Sequence, residues 1–131
     1  MCDRYADSTL AYQGYGSGQP LDRLRALGEY ATGGLRPNLT ILFDLPAEVG
    51  LGRKAAEANR FENHAGLAFH RRVRDGFLAI AAAEPDRYVV LDATKPPEAL
   101  ESEVLAAVRS RLATAILKSS EPKPDPVRMD R

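Results

Sequence analysis

The sequence predicts an α/β protein, because two short strand-forming runs alternate with longer segments of helical periodicity. LTILFDL at 39–45 and RYVVLDA at 87–93 are short, largely apolar and rich in strand formers. Both are therefore predicted to be buried strands of a parallel sheet. Two strands are few, since helices cover both faces of the sheet in α/β proteins. The chain looks like the second half of a larger unit.

Four segments are predicted to be helices from the spacing of their apolar residues and from their boundaries. Gly33 supplies a stop for the first, and Pro46 takes the favoured first position of the second. The four helices are 21–35, Pro46 with the following AEVGLGRKAAEAN, 60–85 and 96–117. Residues 118–131 are polar and rich in proline, which predicts a disordered tail after a domain at 1–117.

The composition excludes several classes of function. The 131 residues suit one domain, and 18 basic residues balance 18 acidic ones, so no net field attracts a nucleic-acid polymer or a membrane surface. No apolar run approaches the roughly 18 residues of a membrane span. With a single cysteine, Cys2, and no signal peptide, the chain is expected in the reducing cytoplasm. His64 and His70 lack cysteine partners at zinc spacing.

The opening stretch MCDRYADSTLAYQG places an acid and a base side by side at Asp3 and Arg4. A carboxylate at a strand end can hold Mg²⁺ through water, and an arginine offers phosphate a planar, permanently charged fork. The alternative is a surface ion pair near a frayed terminus. The glycines of GYGSGQP at 14–20 suggest a phosphate loop, but no strand precedes them and no lysine follows. A turn before the next helix is therefore the better interpretation of that segment.

Three blocks of sequence carry a resemblance to a known family. They are DRYADSTLAYQGYG, RALGEYATGGLRPNLTILFDLP and RFENHAGLAFHRRVRDGFLAIAAAEPDRYVVLDA, in register from Asp3 to about Leu112. Together they resemble bacterial thymidylate kinase (dTMP kinase). The resemblance implies a P-loop-kinase-type fold, with a doubly wound parallel sheet of strand order 2-3-1-4-5. By this mapping, 39–45 and 87–93 are the fourth and fifth strands, and the P-loop strand and its neighbour are missing from the chain.

The resemblance also implies roles for individual residues. Arg4 would clamp phosphate, Asp3 would act as a catalytic carboxylate and hold Mg²⁺ indirectly, and Arg60 would stabilise charge during transfer. Thr9, Tyr12 and Gln13 would form the nucleoside pocket. Arg53, Lys54 and Asp92 would lie on the ATP and lid side.

Without the resemblance, these residues have ordinary structural interpretations. STLAYQG would be a helix with one buried face that places Tyr12 in the core. Arg53 and Lys54 would be a solvated helix face, and Asp92 a cap or turn residue. The basic run FHRRVRDGF is interpreted as a solvated helix surface, with its arginines directed away from the apolar side.

The function implied by the resemblance is phosphoryl transfer from ATP to dTMP, which gives dTDP for dTTP biosynthesis, with Mg²⁺ as cofactor. The family's P-loop motif, G-x-x-x-x-G-K-[ST], does not occur in the chain, so this polypeptide alone is expected to be inactive. Two alternatives stay open: a degenerate nucleotide-binding or interaction fragment, and another nucleoside or nucleotide kinase. The expected partners are ATP and dTMP, together with either a second copy of the chain or a complementary N-terminal half.

Overall fold

The computed structural model of the protein describes residues 1–58 and 64–119, and it confirms the α/β class. The elements in chain order are α1 (Ala6–Thr9), a π-helical segment (Leu10–Gly16), α2 (Leu21–Thr32), β1 (Thr40–Asp44), α3 (Ala47–Ala58), α4 (His64–Ala83), β2 (Tyr88–Asp92) and α5 (Pro97–Ser119). Helix α5 includes the first two residues of the predicted tail, and the rest of that tail lies outside the described residues. No described helix is long and apolar enough to cross a bilayer.

Strands β1 and β2 form a parallel pair, as predicted, in a register that runs from Thr40–Tyr88 to Asp44–Asp92. The N–H of Ala93 extends the pair by donating to the carbonyl of Asp44 at 2.8 Å. A parallel pair needs a long crossover connection, which α3 and α4 provide. The carboxyl ends of both strands therefore lie at one edge, where Asp44 and Asp92 are register partners.

The core lies between α4, the π-helical segment and one face of the sheet. Val73, Ile80 and Ala81 of α4 pack with Ala11 and with Tyr88 of β2, and none of the five is more than 6% exposed. The apolar face predicted for the long helix is thus the face that is buried. Because α4 joins the first 16 residues to the sheet, it is the element that positions every candidate residue near the N-terminus.

The prediction that both strands are buried is wrong for β1. None of its five residues is fully buried, and Phe43 is 51% exposed. In β2, Tyr88 and Leu91 are buried but Val90 is 46% exposed. The physical reason is that the described sheet has only two strands, so the second edge of β1 has no strand beside it, and α5 packs against β2.

The predicted proline and glycine boundaries are confirmed. Helix α2 ends at Gly33, whose φ of +61° is left-handed and therefore easily adopted by glycine. The N–H of Gly34 then donates to the carbonyl of Glu29 at 3.0 Å. Pro46 directly precedes α3, and its carbonyl accepts from the N–H of Val49 and of Gly50 at 3.0 Å each. The first three residues of GYGSGQP, Gly14 to Gly16, belong to the π-helical segment, so the predicted turn into α2 is found only for 17–20.

Candidate functional site

Arg4 is the strained residue of the candidate site. Its φ is +62°, a left-handed value that residues with a Cβ adopt at a cost of about 1 to 3 kcal/mol. The guanidinium carbon lies 5.4 Å from the centre of the Tyr12 ring, within the range of a cation–π contact. Asp3 and Arg4 are both exposed, and the ion pairs of the described residues do not join them to each other. The surface ion pair considered above is therefore not the arrangement found.

Tyr12 connects this arginine to the core. Its ring centre lies 6.1 Å from that of Phe69 and 6.2 Å from that of Phe77, the second pair at an interplanar angle of 81°. Such edge-to-face contacts fix the orientation of a ring. The ring is half-buried and packs against the core while also contacting Arg4, so it combines features of the two interpretations considered above. Thr9 and Gln13 are exposed.

Close backbone approaches hold the π-helical segment against α4. A Cβ on Gly16 would lie 2.7 Å from the ring of Phe69 and 2.8 Å from Val73, and one on Gly76 would lie 2.6 Å from Tyr15. Neither site has room for a larger side chain. π-Helical turns are rare and occur frequently at functional sites. The segment that carries Tyr12 is therefore both unusual in conformation and tightly packed.

The basic run on α4 is solvent-exposed at Arg71 and Arg72, as predicted, whereas Arg74 is half-buried and corrects the prediction for that arginine. Arg74 donates two hydrogen bonds to the carboxylate of Asp44, at 2.7 and 2.8 Å, and this pairing lowers the pKa of Asp44. Arg72 donates two to the carbonyl of Gly16, at 2.9 and 3.0 Å. Arg71 is exposed and pairs with Glu48 of α3. The arginines tie α4 to three different parts of the chain.

At the carboxyl ends of the strands, Arg53 and Asp92 come close to each other. Both terminal nitrogens of Arg53 lie 3.4 Å from the carbonyl of Ala93, in long hydrogen bonds. Asp92 accepts from the N–H and the hydroxyl of Thr94, at 2.9 and 2.6 Å, which lowers its pKa. Asp92 is thus a turn residue, the ordinary interpretation given above.

A half-buried polar cluster at the amino ends of the strands has no counterpart in the sequence predictions. Arg87 donates to Asp7 at 2.8 Å, to Glu84 at 2.8 Å and to the hydroxyl of Thr40 at 3.0 Å. The hydroxyl of Tyr88 donates to Asp7 at 2.7 Å. Spacing could not identify this cluster, because Asp7 and Arg87 are 80 positions apart.

The pKa values of the cluster follow from these contacts. Burial alone would raise the pKa of Asp7, but hydrogen bonds from Arg87 and Tyr88 and the charge of Arg87 outweigh it, so the pKa is lowered. The hydrogen bond from Arg87 likewise lowers the pKa of Glu84. Burial raises the pKa of Tyr88, and its bond to Asp7 adds to that effect. All four groups are therefore held in one protonation state over the neutral range.

An open cavity of about 260 Å³ lies beside this cluster. Its walls include Leu10, Leu24, Leu35, Asp7, Arg36 and Glu84. The three residues expected to form the nucleoside pocket do not line it. The cavity and the Arg4–Tyr12 contact are therefore separate features of the fold.

The predicted site residues fall into two groups. Arg4 contacts Tyr12, and Arg53 reaches the loop that follows Asp92, but no hydrogen bond or ion pair of residues 1–58 and 64–119 joins one group to the other. No three potential metal-ligating side chains gather within those residues. Outside the described residues and side chains lie Arg60 and the side chains of Lys54 and His64.

Comparison with known proteins identifies relatives over most of the chain. The family described as Thymidylate kinase matches residues 1–104. Thymidylate kinase of Deinococcus radiodurans is 55% identical over 113 residues, which cover 85% of this chain and 54% of that protein. Thymidylate kinase of Synechococcus sp. (strain JA-2-3B'a(2-13)) is 50% identical over 115 residues, covering 88% of this chain and 55% of that protein.

A solved structure gives the same result. The crystal structure of thymidylate kinase from Ehrlichia chaffeensis superposes with a TM-score of 0.52 at 32% identity, over 69% of this chain and 40% of that one. The chain spans about half the length of the curated relatives it matches, 54% and 55% for the two named above. The likeness therefore concerns one part of those proteins.

Proposed function

Because this chain belongs to the thymidylate kinase family, we propose that it supplies the acceptor and lid groups for transfer of the γ-phosphoryl group of ATP to dTMP, giving dTDP. The observation that carries the proposal is the contact between Arg4 and Tyr12, 5.4 Å from guanidinium carbon to ring centre. The contact supports the proposal because an arginine, which can bind phosphate, lies beside a flat ring against which a deoxyribose can pack. A nucleoside monophosphate needs these two surfaces together.

On the acceptor side, Arg4 binds the phosphate that lies between donor and acceptor. Its strained backbone supports this role, because such conformations persist where the surrounding structure holds them and cluster at ligand sites. Tyr12 packs against the sugar, and the exposed hydroxyl of Thr9 and amide of Gln13 pair with the pyrimidine edge. Asp3 orients the acceptor.

On the ATP side, Arg53 and Lys54 bind phosphate, the loop after Asp92 borders the adenine, and Arg60 stabilises the charge that spreads over the transferred group. Arg53 supports this assignment because its two hydrogen bonds are long and its side chain is exposed, so a phosphate can compete for it. Mg²⁺ neutralises phosphate charge when it is bound. Asp3 would hold it through water, consistent with a carboxylate that faces solvent.

Catalysis by this polypeptide alone is proposed to be absent. Positioning and charge stabilisation supply nearly all of the rate in phosphoryl transfer, and the 131 residues contain no P-loop motif to hold the ATP phosphates. A complementary N-terminal half or a second copy of the chain would complete the assembly. Among the described residues, one edge of β1 has no partner strand, and this supports the first partner, since unpaired backbone groups at a strand edge favour pairing with another strand. The reaction is assigned to the cytoplasm, in keeping with the single cysteine.

The same open edge supports a second candidate function, an interaction module that binds a partner without catalysis. The two candidates differ in whether the Arg4–Tyr12 site binds dTMP. A third possibility, another nucleoside kinase, predicts binding of thymidine as tight as that of dTMP.

Calorimetric titration of the chain with dTMP and with thymidine tests the proposal. We expect dTMP to bind and Arg4→Ala to weaken that binding about tenfold, because a charged hydrogen-bonded contact to phosphate is lost. Thymidine, which has no phosphate, should bind weakly to both. Arg23→Ala, an exposed arginine on α2, is the matched control and should leave dTMP binding unchanged. Absence of dTMP binding to the unaltered chain would leave only the interaction module.

Turnover is measured separately, as ADP release in the presence of ATP, Mg²⁺ and dTMP. The expected rate for the chain alone is at background. A rate near that of ordinary kinases, about 1 to 100 s⁻¹, would contradict the proposed need for a complementary part.

A further inference from the structure

We propose that Arg72 is a positioning residue for the nucleoside pocket. Its guanidinium holds the end of the π-helical segment, and through that segment it sets the orientation of Tyr12 and Gln13. The inference rests on the proposed function, because it assigns those two side chains to dTMP. It adds a residue that contacts no substrate and that lies 56 positions from the carbonyl it binds.

The π-helical segment has to be held from outside. The N–H of Ser17 donates to the carbonyl of Tyr12 at 3.0 Å, five positions back, where an α-helix would use four. The hydroxyl of Ser17 reaches the same carbonyl at 3.2 Å, and the N–H of Gln19 donates to Gln13 at 2.9 Å. The carbonyls of Tyr12 and Gln13 are thus bonded to two residues that follow Gly16, Ser17 and Gln19. Any movement there changes the course of the chain at Tyr12.

Arg72 binds the chain at Gly16, directly before the residues whose N–H groups bond back to Tyr12 and Gln13. Its Nε and one terminal nitrogen both donate to the carbonyl of Gly16, at 3.0 and 2.9 Å. The last carbonyls of a helix have no partner within the helix, so this one depends on an outside donor. Phe69, three positions earlier on α4, contacts Gly16 and packs against Tyr12 with its ring tilted by 58°. Helix α4 therefore holds the segment by the two hydrogen bonds of Arg72 and by the ring of Phe69.

The neighbouring arginine provides a matched comparison. Arg71 differs from Arg72 by one position on α4, but its guanidinium pairs with Glu48 of α3. It makes no hydrogen bond to the π-helical segment among the described residues. Removing either arginine takes one positive charge from the same helix. Only the loss of Arg72 leaves the carbonyl of Gly16 without its donors.

The experiment compares Arg72→Gln, Arg72→Lys and the control Arg71→Gln in the full chain. The first measurement needs no ligand: hydrogen exchange at the amides of Ser17 and Gln19, followed by NMR. We expect about tenfold faster exchange in Arg72→Gln, partial restoration in Arg72→Lys, which keeps one donor, and no change in Arg71→Gln.

The second measurement is calorimetric binding of dTMP and of dCMP, which differ at the pyrimidine edge. Arg72→Gln should weaken dTMP binding about tenfold and weaken dCMP binding less, so that discrimination between the two bases falls. A general loss of stability would weaken both nucleotides equally. Arg72→Lys should recover part of the discrimination, and Arg71→Gln should match the unaltered chain.

Three outcomes would overturn the inference, and each has a distinct cause. Unchanged hydrogen exchange at Ser17 and Gln19 in Arg72→Gln would show that the two hydrogen bonds of Arg72 do not hold the segment. Faster exchange with unchanged dTMP binding and base discrimination would show that the segment is held but does not set the pocket. Failure of the unaltered chain to bind dTMP would remove the proposed function itself, whatever the exchange rates.

Discussion

The two ends of the sheet differ in how far their charged groups are buried and hydrogen-bonded. At the amino ends, Arg87 and Asp7 are only 12% and 17% exposed, and Asp7 also accepts from Tyr88. At the carboxyl ends, Arg74 and Asp44 are 36% and 22% exposed, and Arg53 makes only long hydrogen bonds to a backbone carbonyl. The first end is the more buried and the more densely hydrogen-bonded, while the second is the more open end, where Arg53 stays exposed.

This difference separates stability from binding. Buried, paired charges resist change, because removing one partner leaves the other desolvated. Charged groups that stay in solvent remain available to ligands, and in open α/β sheets ligands bind beyond the carboxyl ends of the strands. Substitutions at the amino ends should therefore act mainly on folding, and those at the carboxyl ends much less.

Asp7→Asn is the substitution expected to have the largest effect on stability, and it tests the assigned difference between the two ends of the sheet. The amide removes the negative charge that faces Arg87, although Glu84 still pairs with that guanidinium, so the free energy of unfolding should fall by about 2 kcal/mol. Urea unfolding followed by circular dichroism measures the change. Asp22→Asn, an exposed carboxylate on α2, is the control and should change stability by less than about 0.5 kcal/mol. Equal effects of the two substitutions would contradict the assigned role of the cluster.

Acid should reduce the stability that the charged cluster at the amino ends of the strands provides. The folded-state pKa values of Asp7 and Glu84 lie below their ordinary values of 3.8 and 4.5, so as the pH falls the unfolded chain takes up protons first. The stabilisation is therefore complete above about pH 5 and is lost progressively below about pH 4. Unfolding curves measured across that range should show a steeper decline for the unaltered chain than for Asp7→Asn. Parallel declines would argue that other carboxylates carry the effect.

The smallest expected effect belongs to the open end. Asp44→Asn removes one partner of a two-bond ion pair that solvent already screens, so the loss should be about 1 kcal/mol. The same urea titration measures it, and adding salt should reduce the difference between Asp44→Asn and the unaltered chain. A loss of stability as large as that of Asp7→Asn would show that ion pairs at the two ends of the sheet contribute equally to folding.

Much of the fold could be predicted from local pattern. Apolar spacing and the Gly33 and Pro46 boundaries identified the described helices and strands to within a few residues. The exposure of Phe43 could not be predicted, because an apolar run indicates a strand but not what covers it. The π-helical geometry was also missed, since it depends on close packing against α4 rather than on the residues of the segment alone.

The candidate site divides in the same way. Arg4 and Tyr12 were identified together through the family resemblance, and their contact is found. The partners of Arg87 and Arg72 were not identified, because they lie 80 and 56 positions away along the chain. Residue spacing predicts contacts only between residues that are close in sequence. Sequence reasoning thus finds residues with chemistry more readily than it finds the residues that hold them in place.

The register of the sheet has a consequence for the order of folding. Every residue pair in the register, from Thr40–Tyr88 to Asp44–Asp92, is separated along the chain by all of α3 and α4. Closing so long a loop costs chain entropy that a two-stranded sheet repays with few bonds. Helix α4, whose own hydrogen bonds are local, should therefore form early. Its contact with the π-helical segment, in which Arg72 and Gly16 lie 56 positions apart, and the pairing of β1 with β2 are then expected to be later events. The formed helix shortens the path that the chain must close between the strands.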